Sequence, residues 1–270
     1  MMVPDLFMSA NTCGEKLMTQ LFIAGLNNGV RGFDTAREYG TEKKVGKALK
    51  VALAETGLRR EDIFVQSRIS NEEIIKGHIE NEVKRSVDSV GLGYLDSFMF
   101  HWPTPDHYIP AWRRLTSFAV THKDMIRSTG MCNCRMRHML AMERECDIMP
   151  DILQIEVTPL WQAKDLVQYC NDKGIVVEAF SPLAKMVPPI RENAVLQALA
   201  DKYGVSIPQI ILRWNNQRAV RPISLTTKLE RVKSNFDIFG FTLSDDDMAR
   251  ISDLDCGYKL HLESATCAGF

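Results

Sequence analysis

Gly32-Phe33-Asp34-Thr35-Ala36-Arg37-Glu38-Tyr39-Gly40-Thr41-Glu42 reads as one joint of a repeating architecture. A short run, Arg31–Asp34, ends in a carboxylate, and a glycine-bearing turn follows. From Glu42 to Ala54 apolar residues then recur at three- and four-residue intervals, the period of a helix buried on one face. The same succession extends outward in both directions. Strands are predicted at Leu6–Ala10, Arg31–Asp34, Ile63–Gln66, Ser97–Phe100, Ile126–Gly130, Ile152–Glu156, Ile175–Ala179 and Pro222–Leu225. Helical period marks Glu42–Ala54, Ile79–Val90, Ala163–Asn171, Asn193–Tyr203 and Leu229–Phe236. A strand-helix unit eight times over predicts an α/β fold, a (β/α)8 TIM barrel, as a single domain over 1–270. The aperiodic tail at 255–270 is expected to lie over one end of the barrel.

Composition narrows the function. The 270 residues are 45% hydrophobic and 25% charged, ordinary for a globular chain and against disorder. With 33 Lys+Arg against 34 Asp+Glu, the formal net charge of -1 and the lack of a long basic run argue against nucleic acid or an anionic membrane as partner. The expected partner is a small molecule. Seven scattered cysteines in a chain with ample core fit reduced thiols in a cytoplasmic protein. The N-terminus lacks a basic segment followed by an apolar stretch, and there is no run long enough to cross a bilayer, so the expectation is neither export nor membrane insertion.

Several strands run directly into polar side chains: Asp34, then Ser67 and Arg68, then His101, then Asn133. In a (β/α)8 barrel the site lies at the carboxyl ends of the strands, so these would face one mouth. An Asp, a tyrosine phenol such as Tyr39, a cation and a His converging there can deliver a proton to a substrate oxygen. The cation lowers the phenol pKa and the imidazole orients a carbonyl.

The run Gly32-Phe33-Asp34-Thr35-Ala36, Tyr39-Gly40-Thr41-Glu42 and Val45-Gly46 resembles the signature of the aldo-keto reductase superfamily. Further matches follow in order: Gly93–Ser97 into Phe100-His101-Trp102-Pro103, Ile126–Asn133, Gln154–Pro159, Ala179–Leu183 and Pro208–Trp214. The resemblance implies NAD(P)H-dependent reduction of an aldehyde or ketone without a metal, NADPH being expected and NADH its alternative, in a monomer. It implies Tyr39 as general acid, His101 orienting the carbonyl, Asp34 completing the proton-donor network, and Trp102 lining the substrate pocket. It assigns Asn133 and Gln154 to the nicotinamide carboxamide, Phe180 to stacking, and Ser181 and Leu183 to the pyrophosphate. Ser224, Thr226, Arg231 and Asn235 fall in its adenosine-phosphate loop and the helix after it.

The chain departs from that pattern where the family carries a catalytic lysine, which falls on Arg68. Guanidinium keeps the charge, but its planar fork is expected to grip Asp34 bidentately instead of pointing at the phenol. Three readings stand open: a relay with shifted geometry, a changed substrate, or a nucleotide-binding or non-redox protein whose reductase chemistry is lost or redirected. Cys132 replaces the usual serine, Ile223 a usual lysine, and Met8–Gly14 lacks the usual Gly-Thr pair. Each site residue also has a plainer reading: Asp34 as a turn cap, Tyr39 and His101 as packed core, Arg68 as a structural ion pair. Trp161 is open between pocket lining and packing. Arg113-Arg114 and Arg135–His138 read as solvated helix faces, with anionic-substrate recognition as the alternative. Cys132, Cys134 and His138 do not make a metal site, since alternate residues on an extended segment face opposite ways and no fourth ligand is evident.

Overall fold

The computed structural model describes residues 2–9 and 13–261. Eight parallel strands close into a barrel in sequence order: β1 (Phe7–Ser9), β2 (Gly32–Asp34), β3 (Phe64–Ile69), β4 (Leu95–Phe100), β5 (Ile126–Cys132), β6 (Ile152–Glu156), β7 (Val176–Phe180) and β8 (Val220–Leu225). The last strand pairs with the first, Phe7 opposite Ile223, which closes the sheet on itself. Twelve helices are described: α1 (Glu15–Asn27), α2 (Glu42–Thr56), α3 (Asn71–Ile75), α4 (Ile79–Val90), α5 (Tyr108–Thr121), α6 (Met136–Glu145), α7 (Lys164–Asp172), α8 (Pro188–Arg191), α9 (Ala194–Tyr203), α10 (Ile207–Gln217), α11 (Glu230–Phe236) and α12 (Asp245–Ser252).

The main apolar core lies between the barrel and its helices. Helix α4 shows why its sequence folds so: Ile79, Val83, Val87 and Val90 fall on one buried stripe. Some helix starts carry their own capping chemistry. Ser206 and Gln209 form a reciprocal cap at α10, and Asn193 accepts from Val195 and Leu196 at α9.

Inside the barrel the side chains stack in layers because inward residues alternate along each strand. Phe64, Gln66 and Arg68 rise along β3, Ile152, Gln154 and Glu156 along β6, Val176, Glu178 and Phe180 along β7. The ladder aligns Ile152 with Val176, Gln154 with Glu178, and Glu156 with Phe180. The lowest layer is apolar, with Phe7, Phe64, Met99, Ile152 and Ile223 in contact and Val176 against them. Phe7 and Phe64 meet edge to face at 5.6 Å. Gly32 makes room for this layer: a Cβ there would lie 2.6 Å from the Phe7 ring. The layer above is polar and buried.

Strand β3 is longer than its sequence suggests. The predicted end at Gln66 moves to Ile69, so Ser67 and Arg68 lie within the strand instead of after it. Polar residues facing a barrel mouth look like a loop in sequence. Other differences are of one or two residues: Ala163 is the residue before α7, Leu229 the residue before α11, and Arg31 precedes β2. Ala10, in the predicted first strand, lies outside the described residues, as does most of the tail. Its described part, 255–261, packs beside the ends of β6 and β7. Cys256 and Tyr258 donate backbone N–H groups to the Leu160 carbonyl, and Leu260 and His261 donate theirs to the Glu156 carboxylate at 2.7 and 2.9 Å.

Candidate active site

Asp34 ends β2, Arg68 sits near the end of β3, His101 and Trp102 follow β4, and Tyr39 lies on the turn after β2. All five line one cleft of about 940 Å³ at the carboxyl ends of the strands. Tyr39 and His101 face each other edge to face at 5.8 Å, and the Arg68 guanidinium carbon is 5.8 Å from the Tyr39 ring centre. Burial pushes the Tyr39 phenol up and Arg68 pulls against that, while Asp34, Cys132 and Glu38 add to the rise. The sequence assigned no role to Glu38, although it stands beside Tyr39. Its carboxylate oxygen lies 2.6 Å from His101 Nδ1, close but poorly aligned for a hydrogen bond. Burial raises the Glu38 pKa, yet His101, the Asn71 backbone and Arg68 outweigh it and leave the group below its ordinary value.

The expected bidentate grip of Arg68 on Asp34 is corrected. Nη2 reaches Asp34 Oδ1, while Nη1 turns to Gln154 Oε1 at 2.6 Å, splitting the fork between two partners. Gln154 comes from β6, across the barrel, and is invisible from β3 in sequence. Its own Nε2 donates to Glu178 Oε2 at 2.8 Å and, more distantly, to Asp34 at 3.3 Å. Gln66 does the same from the other side, at 2.7 Å to Glu178 and 2.8 Å to Asp34. Two amides thus bridge two carboxylates above the apolar layer, and Arg68, 2% exposed, is the cation beside them. Arg68 is held more firmly charged than usual: burial opposes the charge, and Asp34, Tyr39, Cys132 and Glu178 more than offset it. Burial pushes the Glu178 carboxyl up to about 7 and the Cys132 thiol up to about 12.

The same cleft runs on from Phe180, Ser181 and Leu183 to Ser224, Thr226, Arg231 and Asn235, with Asn133 and Gln154 in its wall. The structure therefore brings together the catalytic and cofactor-binding positions named from the sequence, with Trp102. Asn133 and Ser181 take left-handed backbone conformations, φ 59° and 47°, at the ends of β5 and β7. Asn133 Nδ2 donates to the His101 carbonyl at 2.9 Å, and Asn235 Nδ2 to Ser224 Oγ at 3.3 Å. His261, which the sequence did not single out, lines the cleft: its Nε2 is 3.1 Å from Ser181 Oγ and its ring meets Phe180 edge on at 5.5 Å. Ser206 and Pro208 line it too. Trp161 does not. It borders a neighbouring cavity of about 630 Å³ with Glu156 and Lys259, and the Lys259 ammonium lies 5.4 Å from its ring centre. Arg113 and Arg114 sit on the outer face of α5, paired with the Glu145 carbonyl and with Glu80.

A closed parallel barrel whose mouth joins a phenol, an imidazole, a carboxylate and a cation to a long cleft defines a class of enzyme that reduces carbonyls with a nucleotide. Comparison with known proteins carries this further. The model of the Aldo/keto reductase family matches residues 19–255. A glyoxal reductase of Bacillus subtilis is 36% identical over 238 residues, covering 88% of this chain and 83% of that protein. A methylglyoxal reductase of Escherichia coli K12 is 33% identical over 248 residues, 91% of this chain and 87% of that protein. The crystal structure of a Bombyx mori aldo-keto reductase in complex with NADP superposes with a TM-score of 0.89 at 27% identity, over 96% of this chain and 91% of that one. The chain belongs to the aldo/keto reductase family, and is an NAD(P)H-dependent oxidoreductase acting on carbonyl groups. No helix among the described residues is long and apolar enough to cross a membrane.

Proposed function

We propose that this chain reduces a small aldehyde or ketone of the glyoxal and methylglyoxal class to an alcohol, with NADPH. The observation that carries the reading is the single cleft in which Tyr39, His101, Asp34 and Arg68 occupy one end and Arg231 and Asn235 the other. Its volume of about 940 Å³ fits a dinucleotide, and its far end offers a cation to an extra phosphate. When bound, NADPH supplies the hydride that adds to the carbonyl carbon.

The protein's own part is the proton. Tyr39 donates its phenolic hydrogen to the carbonyl oxygen as negative charge grows there, and Arg68 stabilises the phenolate left behind. His101, whose Nδ1 lies beside the Glu38 carboxylate, orients the oxygen with its other ring nitrogen, and Asp34 holds Arg68. Phe180 offers its ring face for stacking, and Trp102 borders the substrate. Asn133 and Gln154 bind the carboxamide, Ser181 and Leu183 the pyrophosphate, and Ser224, Thr226, Arg231 and Asn235 the adenosine end. Near-neutral charge argues against nucleic-acid partners and six free cysteines among the described residues fit a cytoplasmic location. The family resemblance supports a monomer, the closed barrel a single domain, and the contacts of Leu260 and His261 with Glu156 a tail over the mouth.

The test is initial-rate loss of reduced-nicotinamide absorbance on methylglyoxal, glyoxal and simpler carbonyls, with NADPH and NADH separately. Wild-type turnover that Tyr39→Phe lowers by about 10²-fold or more is expected. Silence in wild type with activity appearing in Arg68→Lys would overturn the reading and favour a nucleotide-binding role.

A further inference from the structure

We propose that Glu178 is a positioning residue for this reaction: from beneath the cleft, by holding or releasing a proton, it governs how much of the Arg68 charge is left for Tyr39. The inference rests on the reductase reading above. Glu178 is fully buried at the centre of β7, one layer below Arg68, and is not among the residues that line the cleft. Its Oε2 takes both amide bridges, from Gln66 and Gln154, while its Oε1 has no hydrogen-bond partner among the described residues. An uncompensated carboxylate oxygen in a sealed interior marks a group whose charged form is poorly served.

The surroundings make the charge balance simple. Around Glu178 stand Asp34 on β2, Arg68 and Gln66 on β3, Cys132 on β5 and Gln154 on β6. Arg221, opposite it on β8, is committed to Asp5 at 2.9 Å. The Cys132 thiol stays protonated. Among the described residues, two carboxylates therefore share one cation, Arg68. When Glu178 is neutral, Asp34 and Arg68 balance, and the guanidinium can also stabilise a phenolate. When Glu178 is ionised, the cluster carries one excess negative charge, and loss of the Tyr39 proton becomes harder. The coupling is electrostatic and passes through Arg68 and Gln154, which one amide ties to both Arg68 and Glu178.

The direction follows from the position of the Glu178 titration, near pH 7 because burial outweighs the two amide bonds. Reduction should be fast below neutrality and slow as pH rises through it. An arginine in the lysine's place gives this network its reach, since a second guanidinium nitrogen is available to engage Gln154 while the first holds Asp34.

The experiment measures kcat and KM for methylglyoxal at saturating NADPH from about pH 5.5 to about pH 9 in wild type, Glu178→Gln and Glu178→Asp. On the same proteins the Tyr39 phenolate is titrated by ultraviolet absorbance, identified by difference from Tyr39→Phe. The wild-type kcat is expected to fall about threefold to tenfold through neutrality, with KM changing less than about twofold. Glu178→Gln should lack that fall and titrate Tyr39 at lower pH, while Glu178→Asp restores the fall. Glu178→Met serves as the neutral variant should the amide fail to fold. An unchanged descending limb in the neutral variant, together with an unchanged Tyr39 midpoint, overturns the proposal. If wild type turns over nothing, the reductase reading fails by itself, and the phenolate titration alone decides whether Glu178 acts on Tyr39.

Discussion

Replacing Arg68 by methionine removes the cation of the buried cluster while keeping an unbranched side chain of similar reach. Asp34 then keeps the Gln66 and Gln154 amides, and Gln154 Oε1 loses its donor in a site where Arg68 was 2% exposed. Breaking a buried pair by removing one partner costs about 3–5 kcal/mol, because the remaining charge is left uncompensated. At about 2–3 °C per kcal/mol for a chain of this size, the melting midpoint should fall by about 6–15 °C. Removing Asp34 as well, in Arg68→Met with Asp34→Asn, should return part of that loss. The coupling between the two single substitutions is expected at about 1–3 kcal/mol. Circular dichroism melts and urea titrations of the four proteins measure it. An Arg68→Met protein within about 1 kcal/mol of wild type, or single effects that simply add, would refute the buried-pair reasoning.

Two further outcomes follow from the packing and the surface. Gly46→Ala places a Cβ against the backbone carbonyl of Val90, where helix α2 meets α4 and backbone cannot yield as a side chain does. A loss of about 2–4 kcal/mol in urea unfolding is expected. Asp247 accepts from Lys202, Tyr203 and Ser244, and these bonds hold its carboxyl well below the usual carboxylate range. A folded pKa below the unfolded one stabilises above the unfolded value and is lost as pH falls through the folded one. Asp247→Asn should therefore lower the melting midpoint at neutral pH, with the gap closing as pH drops below about 4.

The barrel is legible in the amino-acid sequence through its periodicities of two and 3.6, because each strand and each amphipathic helix signals itself within its own residues. Asp34, Arg68 and His101 are legible because each lies at or near the end of a strand, and Tyr39 because it sits on the glycine-bearing turn that follows β2. What the sequence hides is long-range. The interior ring of Gln66, Gln154 and Glu178 joins residues up to 112 apart, and nothing local in Val176-Val177-Glu178-Ala179-Phe180 announces it. One signal is available: a carboxylate on the inward register of an otherwise apolar strand must find donors in the barrel. The end of β3 is misplaced for a related reason, since Ser67 and Arg68 are polar yet find buried partners, Glu42 and Asp34. The divided fork of Arg68 depends on Gln154, a partner 86 residues away.

The carboxylate of Glu156 clasps the backbone amides of Leu260 and His261, and so gives the far end of the described chain a share in the strand's fate. In hydrogen-exchange terms, these two amides should not behave as a fraying terminus. They should exchange with the cooperative unit that contains β6, at a rate set by opening of the barrel mouth. Glu156→Ala would release them to fast exchange while β6 itself, whose ladder to β7 is backbone, keeps its protection. A single side chain thereby decides whether Leu260 and His261 are counted as part of the folded unit.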